Sequence, residues 1–271
     1  MIMKKYLYET HMHTSQASAC SDSPGRDYIR RYMDMGYDGI IITDHFFRGN
    51  CAVDRTLPWR ERINIFCSGY EDALNEGLKR GFPVFFSWEE NFEGDEYLVY
   101  GLDKKWLLEH PEMEHWTRKE QFDEVHRYGG CVVQAHPFRA RNYISVIHLA
   151  PYLCDGIEVL NAGNEKEWDA QAARYAFFLG KPVTAGSDNH HADRMDRDRN
   201  MAGVLLDEKL NDIRDYVRVI LENRPIGLWA PREGTPWRAD LPITKPLEAL
   251  DRNGVPFECD IRQFLENGQW R

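Results

Sequence analysis

Three consecutive isoleucines, Ile40 to Ile42, constrain the fold of this chain more than any other feature. A run of this kind is typical of a strand buried on both faces, as in parallel sheets covered by helices. The spacing of apolar residues predicts a helix on each side, from Pro24 to Gly36 before the strand and over 59–80 after it. Ser23 is expected to cap the first of these helices. The chain is therefore expected to alternate strands and helices.

The same alternation extends through most of the sequence. About seven β-α units with parallel strands indicate an α/β fold, a closed or nearly closed (β/α)7 barrel of the TIM-like kind. Five prolines interrupt residues 231–271, which we interpret as a C-terminal extension packed on a barrel formed by residues 1–230. Further strands are predicted at 83–88, 97–100, 131–135, 155–160, 182–186 and 203–206, and further helices near 118–128, 165–179 and 210–221.

Composition narrows the class of protein. Hydrophobic residues make up 42% of the 271 residues, enough for a substantial core, and the net charge of −10 argues against a broad basic surface for nucleic acid. The sequence has no apolar run of 18 residues that would predict a membrane span. The six cysteines form no Cys-x-x-Cys pair and are expected to be reduced thiols. Together with an N-terminus unlike a signal peptide, these features predict a cytoplasmic protein without a membrane partner.

Polar residues follow the predicted strands, where barrels of this kind carry their functional groups. His11 and His13 follow the first strand two residues apart, so that both imidazoles point to the same face. Neutral imidazoles bind zinc, manganese or iron. Other strands end in residues of the same ligand types, and we predict that they converge on a metal site: Asp44 with His45, Glu89, His136, and Asp188 with His190.

The order of these motifs resembles that of the polymerase-and-histidinol-phosphatase (PHP) family over residues 6–206. The chain reads His-x-His-Thr, Ile-Thr-Asp-His, a glutamate at a strand end, Ala-His-Pro and Gly-Ser-Asp-x-His. The resemblance implies a distorted seven-stranded β/α barrel that hydrolyses phosphate esters with two or three metal ions. It implies one ion held by His11, His13, Glu89 and Asp188, a second bridged by Glu89 and held by His136, and a third held by His45 and His190.

Two positions depart from the family pattern. Leu98 occupies the place of a histidine that usually completes the second metal site. Ser18 and Ala19 stand where the third site usually takes an aspartate or histidine, although Cys20 or Asp22 could reach it. Each of these two sites is therefore expected to lack one ligand. We expect one to three divalent ions per chain, of zinc, manganese or iron.

The chemistry of such a site follows from the charge of the ions. A metal lowers the pKa of bound water from about 16 to about 7 and so supplies hydroxide at neutral pH. Glu89 is the expected bridge between two ions; a turn after the strand and the family pattern favour it over Glu90. Arg139, three residues after His136, is the candidate for holding phosphate through its planar fork. The alternative for Arg139 is an exposed loop arginine.

Other residues on the same rim have weaker assignments. His191 is a candidate proton donor for the leaving group, with a surface position as the alternative. Asp44 is expected to orient a metal ligand rather than to bind the ion itself. Glu158 and Asn161 end a further strand there, and the sequence assigns them no role.

These features predict a metal-dependent phosphoesterase that acts on a small phosphorylated metabolite or nucleotide. The sequence leaves two alternatives open. One is a metal-stabilised binding or regulatory domain with weak or no catalysis, which Leu98 and Ala19 support as lost ligands. The other is a 3′-exonuclease-like phosphodiesterase. The oligomeric state is not predictable from these motifs.

Overall fold

The computed structural model describes residues 4–270 of the chain. Nine of its strands form one curved sheet and three short strands form a second sheet. The strands are β1 (Tyr6–Glu9), β2 (Gly39–Ile42), β3 (Val84–Phe92), β4 (Asp95–Tyr100), β5 (Cys131–Gln134), β6 (Ile147–Leu149), β7 (Gly156–Asn161), β8 (Val183–Gly186), β9 (Gly203–Leu206), β10 (Gly227–Trp229), β11 (Leu247–Leu250) and β12 (Pro256–Phe257).

The main sheet has the strand order β10-β9-β1-β2-β3-β4-β5-β7-β8. Beyond the end of β1, Met12 pairs with Asn189, which follows the edge strand β8, so the sheet curves back on β1 and nearly closes into a barrel. The predicted α/β barrel is confirmed. The expectation of uniformly parallel strands is wrong for β4, which is antiparallel to β3 and β5, and for β9, which is antiparallel to β1.

A two-residue turn explains the reversal at β4. Glu93 and Gly94 join β3 to β4, and both have positive φ angles, of 58° and 102°. Turns of this kind match the twist of an antiparallel pair, so β3 returns as β4 with no helix between them. The start of β4 therefore lies beside the end of β3, with Asn91 paired to Glu96 and Glu89 paired to Leu98.

Helices cover the outside of the barrel. The predicted helix over 59–80 is two helices, because Cys67 ends the first and Ser68 begins the second. The α-helices are α1 (Gly25–Asp34), α2 (Trp59–Phe66), α3 (Ser68–Arg80), α4 (Lys104–Glu109), α5 (Arg118–Arg127), α6 (Lys166–Leu179), α7 (Ile213–Leu221) and α8 (Ile261–Asn267).

The break at Cys67 allows a close approach of α3 to α1. A Cβ atom added at Gly69 would lie 1.9 Å from Thr14 Oγ1, and one added at Gly25 would lie 2.1 Å from the carbonyl oxygen of Gly69. Only glycine fits at these two positions. Ser23 does not cap α1 as predicted, since its hydroxyl instead accepts the backbone N–H of Ala192 at 2.8 Å.

Apolar side chains fill the barrel below its rim. Alternate residues of the strands point inward, and those of β4 include Leu98 and Tyr100. The Tyr100 hydroxyl donates to the carbonyl of Thr10 at 2.8 Å, just before the His-x-His segment. The polar rim therefore stands on a packed base, which includes Tyr8, Ile41, Phe85, Leu98 and Val133.

Residues after 230 pack against the barrel. Strand β11 pairs in parallel with β6, and Phe264 of α8 packs near Tyr175 of α6, with 5.9 Å between ring centroids. The division of the chain into domains at residue 230 stays a prediction. Within residues 4–270, no helix combines the length and the apolar character that crossing a membrane requires.

Candidate metal centre

The His-x-His segment is held by the buried carboxylate of Glu9. Its Oε1 accepts backbone N–H groups from Thr10, His11 and Ser187, at 2.9, 3.0 and 2.9 Å. Burial raises the pKa of Glu9 to about 7. These bonds join the end of β1 to the end of β8 and fix the backbone that carries His11 and His13, both of which are fully buried.

Four side chains converge beside this segment. His11 Nε2 lies 3.2 Å from Glu89 Oε1 and 3.5 Å from Asp188 Oδ1. His13 Nε2 lies 3.5 Å from Glu89 Oε2 and 3.2 Å from the same Asp188 oxygen. Two imidazole nitrogens and two carboxylates thus surround one point, a donor set suited to a divalent transition metal.

Several of these atoms have no hydrogen-bond partner within the described residues. They are His11 Nε2, His13 Nε2 and Glu89 Oε2, all buried. A buried polar atom without a partner costs free energy, and a bound cation would satisfy all three at once. The residues present therefore fit a metal ion.

A second group of ligand types adjoins the first on the other side of Glu89. His136 Nε2 lies 3.2 Å from Glu89 Oε1 and 3.6 Å from Glu96 Oε2. The sequence did not point to Glu96. Leu98 packs in the barrel interior, and the expectation that the second site lacks the ligand usual at this position stays a prediction. Burial and the charge of Glu89 raise the pKa of Glu96.

Three imidazoles stack at the outer side of the first group. The His13 ring lies 4.2 Å from that of His45 and 4.3 Å from that of His190, measured between centroids. Burial and the charges of those two rings lower the pKa of His13 well below its usual range. Burial would raise the pKa of the Cys20 thiol, but hydrogen bonding with His190 and His45 brings it to about 6. Cys20 also lines a pocket with His190.

Asp44 contacts the histidines indirectly. Its carboxylate accepts the hydroxyl of Ser18 at 2.7 Å, and that hydroxyl lies 3.1 Å from His13 Nδ1. Asp44 also accepts the Thr14 hydroxyl at 2.7 Å. The arrangement supports the expected orienting role, with Ser18 as the connection that the sequence did not predict.

Glu158 supports two histidines at once. Its Oε1 lies 3.0 Å from His11 Nδ1, and its Oε2 accepts the backbone N–H of His136 and the side-chain amide of Asn161, both at 3.0 Å. A carboxylate on the far nitrogen of a ligand histidine fixes the tautomer and the ring orientation. The sequence placed Glu158 on the rim, but only the fold brings it to His11.

The backbone is strained at two candidate ligands. His136 and Asp188 have positive φ angles of 29° and 54°. Such conformations are uncommon outside glycine and persist where surrounding contacts enforce them, often at functional sites. In both residues the strain directs the side chain toward Glu89 or the His-x-His pair.

Arg139 is buried, which argues against the exposed alternative. Its Nη2 lies 2.7 Å from Asp188 Oδ2 and donates to Asn161 Oδ1 at 2.9 Å, and its Nε donates to Asn164 Oδ1 at 2.8 Å. Burial opposes the charge of the guanidinium, but Asp188 outweighs it and raises the pKa of Arg139. Arg232, from beyond residue 230, donates to the backbone carbonyls of Asn161 and Asn164 at 2.8 Å each.

An open pocket of about 360 Å³ adjoins the centre. His191 lines it and lies, through Nδ1, 2.8 Å from Asp22 Oδ2. The remaining polar lining presents hydrogen-bond donors and a cation beside the candidate ligands. It includes Cys20, Gly163, Asp188, His190 and Arg194.

The structure thus brings all seven predicted metal ligands to one rim, while their role as ligands stays a prediction. Glu90 is excluded from the group because it points to the outer face of β3, where Gln121 donates to it at 2.8 Å. The groups that could hold an ion are His11-His13-Glu89, His11-His136-Asp188, His13-His45-His190 and His45-Glu89-Glu96.

Comparisons with known proteins support the fold. No family model and no curated protein matches the sequence. A solved two-domain protein from Bacteroides vulgatus, described as containing a predicted PHP-like metal-dependent phosphoesterase, has a TM-score of 0.62 at 18% identity. The alignment covers 84% of this chain and 65% of that protein, so this chain spans under two thirds of it. PsfC from Pseudomonas syringae has a TM-score of 0.52 at 15% identity, with 79% and 88% covered.

The structural neighbour from Bacteroides vulgatus carries the family name that the sequence motifs suggested. The chain therefore has the fold of a PHP-like phosphoesterase, with clusters of histidine and carboxylate side chains that could hold divalent metal ions at the rim of its barrel.

Proposed function

We propose that this protein is a metal-dependent phosphoesterase that hydrolyses a phosphate ester of a small metabolite or nucleotide. One observation carries the proposal: buried imidazoles and carboxylates from separate strands meet at one rim, where His11 Nε2 and His13 Nε2 have no hydrogen-bond partner among the described residues. The shared fold with a protein described as PHP-like supports the reaction class. The residues assigned to metal binding are His11, His13, His45, Glu89, His136, Asp188 and His190.

The chain supplies positions and charges for this reaction. Divalent ions held by these residues would supply hydroxide near neutral pH and would neutralise charge on the phosphoryl oxygens. Glu89 lies between the His11 and His136 groups and is assigned as the bridging carboxylate. Arg139 is fixed beside Asp188 and offers a permanent positive charge for the phosphate. His191 lines the pocket and is assigned to protonate the leaving group.

The pocket supports a small anionic substrate. Its volume of about 360 Å³ is at the lower end of the usual range for small-molecule sites. The chain has a net charge of −10, so attraction of an anion depends on local positive groups. Arg139 behind Asp188 and Arg194 in the pocket lining are such groups.

The two alternatives have less support. The binding-domain alternative depended on lost ligands at Leu98 and Ala19, but Glu96 lies 3.6 Å from His136 and Cys20 lines the pocket with His190, so both are candidate replacements. The exonuclease alternative predicts that a single-stranded oligonucleotide is shortened stepwise. No described residue outside the rim favours either alternative.

Hydrolysis of a panel of phosphomonoesters and phosphodiesters tests the proposal. Protein reconstituted separately with Mn²⁺, Zn²⁺ and Fe²⁺ is expected to turn over at least one class above the blank. Asp188→Asn should abolish that turnover, because Asp188 Oδ1 lies within 3.5 Å of both His11 and His13. The control Asp123→Asn changes an exposed aspartate that pairs with Lys119 at the surface, and it should retain the turnover. No turnover by any metal-loaded sample would overturn the proposal.

A further inference from the structure

Glu96 is a buried carboxylate at the rim that the sequence motifs did not point to. It lies at the start of β4, on the same inward face as Leu98 and Tyr100. Because β4 is antiparallel to its neighbours, its start rather than its end reaches the rim. The carbonyl of Glu96 accepts the N–H of Ala135 at 2.9 Å, which fixes it beside the next residue, His136.

The surroundings of Glu96 consist of other candidate ligands. Its Oε2 lies 3.6 Å from His136 Nε2, and its Oε1 lies 3.7 Å from His45 Nδ1. The side chain of Asn91 donates to Oε1 at 3.3 Å. Glu89 is close enough that the two carboxylates and His45 could share one ion.

Two buried atoms of this group lack a well-aligned hydrogen bond. His45 Nδ1 and Glu89 Oε2 lie only 2.8 Å apart, yet neither makes a hydrogen bond of acceptable geometry within residues 4–270, and both residues are more than nine-tenths buried. Two carboxylates in a buried space repel each other unless a positive charge lies between them. The buried guanidinium of Arg139 is engaged by Asp188. A divalent ion between Glu89 and Glu96 would balance the charges of the two carboxylates, and His136 Nε2 lies within 3.6 Å of both, so it could hold the same ion.

We propose that Glu96 is a ligand of the second metal position, with Glu89 and His136, and that this position prefers a harder ion such as Mn²⁺ more strongly than a histidine-completed site would. The inference rests on the proposed function, because it takes the His11-His13-Glu89-Asp188 group as the first position. It replaces the vacancy inferred at Leu98 with a carboxylate two residues earlier on the same strand.

The preference follows from donor chemistry. Carboxylate oxygens suit Mn²⁺ and Mg²⁺, whereas imidazole nitrogens suit Zn²⁺, Fe²⁺ and Cu²⁺. Two carboxylates and one imidazole also place more negative charge on the ion than one carboxylate and two imidazoles. Glu96→His changes one donor from oxygen to nitrogen and should therefore shift the position toward Zn²⁺.

Metal titration of the whole protein without substrate tests the inference. Equivalents bound and affinity for Mn²⁺ and Zn²⁺ are measured for the native protein, Glu96→Gln and Glu96→His, after stripping the metal with a chelator. Glu96→Gln should weaken the second Mn²⁺ equivalent by roughly tenfold or more and leave the first unchanged. Glu96→His should bind two equivalents again, with the ratio of Zn²⁺ to Mn²⁺ affinity at the second position raised.

Glu93→Gln is the matched control, since Glu93 is an exposed acid in the turn of the same hairpin. It should bind metal as the native protein does. Circular dichroism of the metal-free variants checks that each is folded; a variant that fails this check is replaced by Glu96→Asp, which should weaken the same equivalent. Unchanged Mn²⁺ binding by folded Glu96→Gln, or an unchanged Zn²⁺ to Mn²⁺ ratio in Glu96→His, would overturn the inference.

The titration separates this inference from the proposed function. Dependence of the second equivalent on Glu96 without hydrolysis of any phosphoester would support the metal position and overturn the function. Hydrolysis of a phosphoester by a protein whose second metal equivalent does not depend on Glu96 would support the function and overturn the inference about Glu96.

Discussion

The two faces of the β3-β4 hairpin carry acids in opposite circumstances. On the outer face, Glu90 lies 3.4 Å from Arg48 and Asp95 lies 2.8 Å from Arg118, so each buried carboxylate has a cation from the chain itself. On the inner face, Glu89 and Glu96 have histidines around them, and several ligand atoms stay unpartnered among the described residues. Burial is similar on both faces. Within this hairpin, a paired arginine distinguishes the structural acids Glu90 and Asp95 from the candidate ligands Glu89 and Glu96.

Substitution of one carboxylate by its amide on each face, in separate variants, should give the largest difference in activity. Glu89→Gln should lower kcat/KM for a phosphoester by about 1,000-fold and reduce metal content, because the bridging charge is lost. Glu90→Gln should leave both nearly unchanged and lower the free energy of unfolding by about 1 kcal/mol, through its contacts with Gln121 and Arg48. Steady-state kinetics, metal analysis and urea unfolding measure these effects. Equal losses of activity in the two variants would remove the distinction.

Removal of the outer cation should destabilise the fold without affecting the rim. Arg118→Met leaves the Asp95 carboxylate buried beside Tyr97, with His148 at 3.3 Å as its one remaining basic partner among residues 4–270. The free energy of unfolding should fall by about 3 kcal/mol, while the number of metal ions bound stays the same. Arg127→Met, at an exposed arginine, is the control for urea unfolding. A loss of metal in Arg118→Met would contradict the separation of the two faces.

A smaller effect, on metal affinity, is expected from a substitution of Glu158, which supports the histidines behind the inner face. Glu158→Gln keeps an oxygen that can accept from His11 or from the His136 N–H, but it removes the charge that favours the ligand tautomer. Metal affinity should fall by roughly tenfold. Competition with a chromophoric chelator measures it. Affinity equal to that of the native protein would mean that the His11 ring is oriented by packing alone.

The smallest effect, on the free energy of unfolding, is expected for the partly exposed pair of His126 and Asp155, away from both faces of the hairpin. His126 Nε2 lies 2.7 Å from Asp155 Oδ2, and this hydrogen bond raises the pKa of His126. The pair should therefore stabilise the folded state fully at pH below about 6.5 and lose that contribution as pH rises through the higher folded pKa. The difference in unfolding free energy between the native protein and His126→Gln, measured by urea at several pH values, should shrink with rising pH and stay under about 1 kcal/mol. A difference that grows with pH would contradict the assignment.

The hairpin also shows what the sequence could predict. Residues at the ends of parallel strands, such as His45 and Asp188, were found because those ends meet at one rim whatever the loops do. Glu96 was missed because β4 was expected to be parallel, which places its last residues and not its first at the rim. The signal was present in the two-residue turn at Glu93 and Gly94 between two strand patterns.

Contacts between distant segments were not predictable in the same way. Glu158 reaches His11 across 147 positions of sequence, and Ser18 connects Asp44 to His13 through a loop whose path depends on packing. Residue type alone cannot tell which rim carboxylate binds an ion and which supports a ring. The break at Cys67 was hidden for a related reason, since the periodicity of apolar residues continues across it.

Arg232 has a consequence for the C-terminal segment. Its guanidinium donates hydrogen bonds to the backbone carbonyls of Asn161 and Asn164, and the side chains of these two residues accept hydrogen bonds from Arg139. A cut in the polypeptide near residue 230 would therefore loosen the guanidinium assigned to phosphate and leave the imidazoles in place. Loss of the segment after residue 230 would therefore weaken substrate binding without weakening metal binding.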